Sequence, residues 1–137
     1  MATQVLKNAY FLVNSVDLSA DIESIEISLS RDLPEDTSMG DDSRSYLAGL
    51  KGATITANFN ADYAASQTDA TLWAIYDGDA AVAFEIRADA GAASTSNPEY
   101  GGSVHLTSYG AVGGSVGDVA KQAASFTVTG DVTRVTT

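Results

Sequence analysis

Gly113-Gly114-Ser115-Val116-Gly117 has the G-x-S-x-G spacing of a nucleophile elbow, in which a serine sits on a tight strand-to-helix turn. That chemistry needs an acid and then a histidine downstream of the serine, within a large α/β sheet. The single histidine, His105, instead precedes Ser115 and β-prone sequence follows, so the run is a glycine-rich loop. His105 lies between Val104 and Leu106 and points to the opposite face of their strand. One imidazole without cysteine is a poor start for a zinc site, which takes three or four protein ligands. Carboxylates gather at Glu35, Asp36, Asp41 and Asp42, and again at Asp77 and Asp79. Neither group has the spacing or the distal glutamate of a calcium loop, so both read as solvated charges. Gly110 to Gly114 lacks the Gly-Lys-Ser/Thr ending of a phosphate loop. No catalytic residue, metal site or cofactor is assigned.

The elements around these residues are mostly strands. Tyr10 to Val13 and Val16 to Leu18 are short β-prone runs broken by the turn pair Asn14-Ser15. In Ile22 to Leu29, the apolar Ile25, Ile27 and Leu29 alternate with Ser24, Glu26 and Ser28, the period of a half-buried strand. Glu23 and Glu26 would then face water or a partner. Ile55, Ala57 and Phe59 alternate inward against Thr54, Thr56, Asn58 and Asn60, an uncharged polar face. Val82, Phe84 and Ile86 alternate with Glu85 and Arg87, and Ser103 to Tyr109 is a further strand. Ser125 to Thr129 and Val132 to Val135 are closing strands joined through Gly130-Asp131.

Ser66-Gln67-Thr68-Asp69 has the form of a capping box, and it opens one helix running to about Tyr76. Leu72, Ile75 and Tyr76 form its sheet-covering stripe, with Trp73 beside it. Gly78 is placed as a left-handed cap. One helix among about seven strands implies a mainly β fold, a sandwich or barrel with one flanking α-helix.

Between Ser30 and Gly49 the periodicity stops. This stretch holds five acidic residues, Asp32, Glu35, Asp36, Asp41 and Asp42. So long a loop in a small domain is commonly functional or disordered. Tyr46, Leu47 and Leu50 give its far end something to dock with. Residues 1–9 read as an extended arm.

At 137 residues the chain fits one domain, 1–137. Eighteen acidic residues against seven basic ones give a net charge of −11. Nucleic-acid binders neutralise phosphates with Lys and Arg, so this chain should repel DNA. Its start lacks the pattern of a signal peptide, and its apolar runs are far too short for a membrane span; no membrane insertion is expected. With no site chemistry, what remains is interaction. An open sheet risks edge pairing unless its edges are covered, charged or used.

Three segments, in order, resemble the major tail proteins, or tail tube proteins, of long-tailed, non-contractile bacteriophages. The first is Phe11-Leu12-Val13-Asn14-Ser15-Val16-Asp17-Leu18-Ser19, leading into Ile22 to Leu29. The second is Thr37-Ser38-Met39-Gly40-Asp41-Asp42-Ser43-Arg44, with Gly49-Leu50 before the strand at Thr54. The third is Ala124-Ser125-Phe126-Thr127-Val128-Thr129-Gly130-Asp131-Val132-Thr133-Arg134. The resemblance implies a homo-oligomer of hexameric rings stacked into a tube, bound to other phage tail proteins. DNA would pass through the lumen without specific binding. The protein would be made in the host cytoplasm and reside in the virion tail.

The resemblance also implies that the stretch 30–50 reaches a neighbouring subunit or ring. The residues that would carry that contact are Arg31, Asp32, Leu33, Pro34, Glu35, Asp36, Met39, Asp41, Asp42, Arg44, Tyr46 and Leu47. The arm over Ala2 to Ala9 would add contacts. Glu23, Glu26 and Glu85 are the candidate lumen-facing acids. Competing readings are a head decoration or tail-terminator subunit, and a non-catalytic β-sandwich binding module.

Overall fold

The computed structural model describes residues 5–137. The expected arm lies outside the described residues over 1–4. Of the remainder, Asn8 makes one parallel bridge to Asp89.

The described residues form seven strands: β1 (Tyr10–Val13), β2 (Val16–Asp17), β3 (Ile22–Arg31), β4 (Lys51–Asn60), β5 (Val82–Arg87), β6 (Glu99–Tyr109) and β7 (Lys121–Val135). A short 3₁₀ turn covers Ser19–Asp21, and the helix α1 spans Thr68–Asp77. The strands make one antiparallel sheet in the order β2-β1-β5-β6-β7-β4-β3. The mainly β class with one helix is as expected, realised as a single curled sheet.

The curl can be read from one contact. β1 and β4 are four strands apart in that order, about 19 Å in a flat sheet. Yet the rings of Phe11 on β1 and Phe59 on β4 stack at 6.2 Å between centroids. Phe126 on β7 meets Phe11 edge-on at 5.9 Å. The inward residues of the alternating strands therefore converge on one core: Phe11 and Val13, Ile55, Ala57 and Phe59, Phe84 and Ile86, Val104, and Phe126 and Val128. Leu72 and Ile75 of α1 complete it.

Several local expectations change. The turn pair Asn14-Ser15 holds: both residues have positive φ, 52° and 65°, the conformation of a two-residue type I′ hairpin whose twist matches its strands. The capping box does not form, because Ser66 is itself left-handed at φ 62° and Gln67 occupies the N-cap with no side-chain bond. The helix start is held from outside, by Thr68 Oγ1 donating to Asp21 Oδ2 at 2.7 Å. Gly78 is extended, at φ −89° and ψ 158°, and is no left-handed cap. Trp73 and Tyr76 are exposed, since the sheet is covered by the Leu72–Ile75 side of the helix alone. The two closing strands are one, β7, bent at Gly130 (φ 83°). Leu29 is exposed because the core ends at its cross-strand partner Ala53.

Candidate assembly surface

The stretch 30–50 is not irregular. The β3–β4 ladder continues beyond Arg31 and Lys51 as a projecting hairpin. The amide of Asp32 donates to the Leu50 carbonyl at 2.8 Å, and Gly49 returns a bond to Asp32 at 2.8 Å. Leu47 donates to Pro34 and Asp36 to Ser45, both at 2.9 Å. Pro34 has no N–H, and only its carbonyl is used. Gly49 is required where it stands, since a Cβ there would lie 2.8 Å from the Asp32 carbonyl oxygen. The apex is closed by Ser38 N–H donating to Asp41 Oδ2 at 2.7 Å, with Gly40 at φ 98°.

Every residue from Arg31 to Ala48 is exposed. That includes Leu33, Met39, Tyr46 and Leu47, and Leu50 follows at 82%. The expected docking of Tyr46, Leu47 and Leu50 is corrected: none is covered by the chain's own core. Five carboxylates and Arg31 and Arg44 decorate the same hairpin, and its one ion pair is Arg44 to Glu35 at 3.9 Å.

The second surface is the sheet face away from the core. Outward residues of β3, β4 and β7 lie side by side: Ser28, Thr54 and Thr127 in one row, Glu26, Thr56 and Ser125 in the next. Most bonds on this face join neutral side chains. Asn58 Nδ2 donates to Ser24 Oγ at 2.8 Å, and the Thr107 and Thr127 hydroxyls meet at 2.7 Å. Lys121 Nζ bonds Asn60 Oδ1 at 2.7 Å and pairs with Glu23 at 3.1 Å. Glu23 and Glu26 thus stand together on this face. Glu85 lies on the outward side of β5, opposite Leu12 and Gly101. That places it four strands from β3 in the sheet order, so the fold does not bring it to the other two.

The edges of the sheet are unequal. β2 is two residues long, whereas β3 has ten and, among the described residues, pairs only with β4. Leu6 to Ala9 lie beside its first half, and its far edge carries no strand among the described residues, leaving backbone groups that another strand can pair with. A third exposed feature is aromatic: Trp73 and Tyr76 lie 5.7 Å apart on α1, and Tyr76 meets Tyr109 at 5.9 Å. Burial raises the Tyr109 hydroxyl pKa, aided by Asp69 and Tyr76. His105 is exposed and faces Thr127 across the ladder. Ser115 lies in the loop between β6 and β7. Among the described residues no three His, Cys, Asp or Glu are placed to share a metal ion. Among the described residues no helix is long and apolar enough to cross a membrane.

Sequence reasoning missed the hairpin's paired backbone and the cluster of cations at its base. The former leaves no apolar alternation to detect, because neither face of the hairpin is buried. The latter was visible only as scattered residues, Arg31, Lys51 and Arg134, until the register aligned them.

No protein-family model and no curated protein matches the sequence. Solved structures do. A chain of the virion of a native gene transfer agent particle superposes with a TM-score of 0.80 at 18% identity, over 97% of this chain and 99% of that one. A chain from the tail of an empty gene transfer agent particle, obtained by helical refinement with C6 symmetry, gives 0.76 at 17%, over 97% and 99%. A chain of the PVC sheath/tube terminator of an extracellular contractile injection system, in the extended state, gives 0.74 at 14%, over 97% and 96%. At these identities the likeness establishes a shared fold over nearly the whole of each chain.

Proposed function

We propose that this chain is a structural subunit of a phage-type tail tube, in which six copies form a ring and rings stack around a channel for DNA. One observation carries the reading: an 18-residue exposed hairpin, Arg31 to Ala48, with a fully paired stem and uncovered Leu, Met and Tyr side chains. A monomer gains nothing by holding such a segment out in water, whereas a subunit that inserts it into a neighbour buries it. The far edge of β3 gives a second place for copies to join. Sixfold and helical order in one structural neighbour supports rings that stack. The non-contractile assignment rests on the sequence resemblance.

In this reading the Ser/Thr/Asn face of β3, β4 and β7 lines the channel, with Glu23 and Glu26 on it. Its lysine, Lys121, is already paired with Glu23, so phosphates meet no free cation there. Six copies at −11 carry −66 in each ring, and like charge keeps DNA off the wall. Glu85 would reach the channel only close to a subunit boundary. Other tail proteins would bind the two ends of the tube, and the virion tail is the site of residence.

Negative-stain imaging of the purified full-length protein tests this. The expected result is hollow tubes of uniform width. Monomers at every concentration and ionic strength would overturn it. A second reading, a terminator that closes a tube with a single layer, is favoured by the 0.74 match to the sheath/tube terminator chain. It requires isolated rings that never stack.

A further inference from the structure

We propose that the cavity at the foot of the hairpin receives the acidic hairpin tip of a second copy of this chain; the inference rests on the tube reading above and names the partner surface.

The cavity, about 500 Å³, opens on the concave side of the sheet beyond the end of the core, among Leu29, Lys51, Tyr100, Asp131, Val132 and Arg134. Alternation puts its cations Lys51 and Arg134, and the neighbouring Arg31, on that side. Arg31 follows Ile27 and Leu29 on β3, Lys51 precedes Ala53 and Ile55 on β4, and Arg134 follows Val132 on β7. Arg31 and Lys51 stand directly opposite one another in the ladder, an arrangement that destabilises a bare sheet. Ion pairs among the described residues use Arg44, Arg87 and Lys121. Of the four cations left without one, Lys7 is elsewhere; Lys51 and Arg134 line the cavity with the single carboxylate Asp131, and Arg31 stands across the ladder from Lys51. In a chain of net charge −11, this is a concentrated positive site with an apolar floor.

The tip has the complementary character. Glu35, Asp36, Asp41 and Asp42 surround the fully exposed Met39, with Arg44 the one cation. A methionine side chain adapts to an irregular apolar floor, while the carboxylates meet Lys51 and Arg134 at its rim, with Arg31 beside Lys51. The tip cannot fill the cavity of its own chain. The stem is paired out to Asp36 and Ser45, and its extended run from Asp32 to Asp36 alone carries the tip about 13 Å away at roughly 3.3 Å per residue. Tip and cavity are different patches, so the contact can run head-to-tail into a ring or filament, which the tube reading requires, instead of closing reciprocally into a two-fold dimer.

The chain has no cysteine, which permits a clean cross-linking test on the full-length protein. Leu29→Cys and Met39→Cys replace two exposed side chains, so the fold is retained. Under oxidation, the double variant should give a ladder of covalent multimers. The two single variants mixed should give a dimer that neither gives alone. Lys51→Glu with Arg134→Glu should cut the mixed dimer about tenfold, and Asp41→Lys with Asp42→Lys in the partner copy should restore it. Absence of the mixed dimer, a link within one chain, or indifference to charge reversal would each overturn the docking. Imaging the same sample reports separately on the tube: tubes without a ladder sink only the docking, and a ladder without tubes sinks the tube.

Discussion

Gln122 Nε2 stands 3.0 Å from Asp69 Oδ1 and 3.0 Å from the carbonyl oxygen of Ala111. One fully buried amide therefore ties β7 to the first turn of α1 and to the loop after β6. Gln122→Leu keeps the volume but removes a donor from Asp69 and leaves the Ala111 carbonyl with the Tyr63 hydroxyl as its side-chain partner. We expect a loss of about 1 kcal/mol, read as a lower urea midpoint with an unchanged slope. Gln122→Glu should cost more, because it sets a second carboxylate against Asp69 in a buried place. An unchanged midpoint for both variants would show that the amide holds nothing together.

The β1–β2 turn is one residue away from the preferred hairpin pair. Asn14 and Ser15 both carry positive φ, which asparagine tolerates and serine does not favour. Ser15→Gly creates Asn-Gly at an exposed position, and should stabilise by about 0.5 kcal/mol, raising Tm by about 2 °C. A thermal melt checks it, and a lower Tm would contradict the assigned turn.

Excision of the hairpin separates folding from assembly. Joining Arg31 to Lys51 through Asn-Gly removes residues 32–50, none of which is buried, and shortens a loop at little entropic cost. The trimmed chain should unfold within about 1 kcal/mol of the parent and form no tubes. If it fails to fold, the hairpin belongs to the domain and not to the contact between copies.

Alkaline pH should weaken the fold through two tyrosines. Burial first, then Glu85 and Asp17, raises the Tyr10 hydroxyl above its ordinary 10.0. Burial and then Asp69 do the same for Tyr109. The unfolded chain therefore loses these protons at lower pH than the folded one. Stability is fully present below pH 10 and declines as pH rises through the folded values. Urea midpoints measured from pH 8.5 to 11 should fall with pH, and less steeply in the Tyr10→Phe/Tyr109→Phe variant. Equal slopes would refute the assignment.

The strands were legible wherever one face meets the core, because a period of two in side-chain burial leaves a period of two in residue type. Ile55, Ala57 and Phe59, and likewise Phe84 and Ile86, follow that pattern and lie where it puts them. Helical periodicity was less secure. Leu72 and Ile75 are buried but Tyr76 is not, since the curled sheet meets only a narrow side of a ten-residue helix. Gly130-Asp131 read as a join between two closing strands, and only pairing to β6 on both sides shows a bend within one strand. The hairpin at 32–50 was found as a segment and misjudged in form: its order comes from backbone bonds, to which residue type is nearly silent. Arg31 and Lys51 are twenty residues apart, and their juxtaposition needed the β3–β4 register.

β7 follows the other six strands in the chain and yet lies between β6 and β4. A polypeptide emerging from the ribosome would hold two separate pieces until Lys121 to Val135 is available, β2-β1-β5-β6 on one side and β4-β3 on the other. Phe11 and Phe59 face each other only after that strand bridges the gap. Contacts so distant in sequence make for slow, all-or-none acquisition of structure. The order of synthesis thereby delays the moment at which a newborn subunit can present a finished cavity to its sisters.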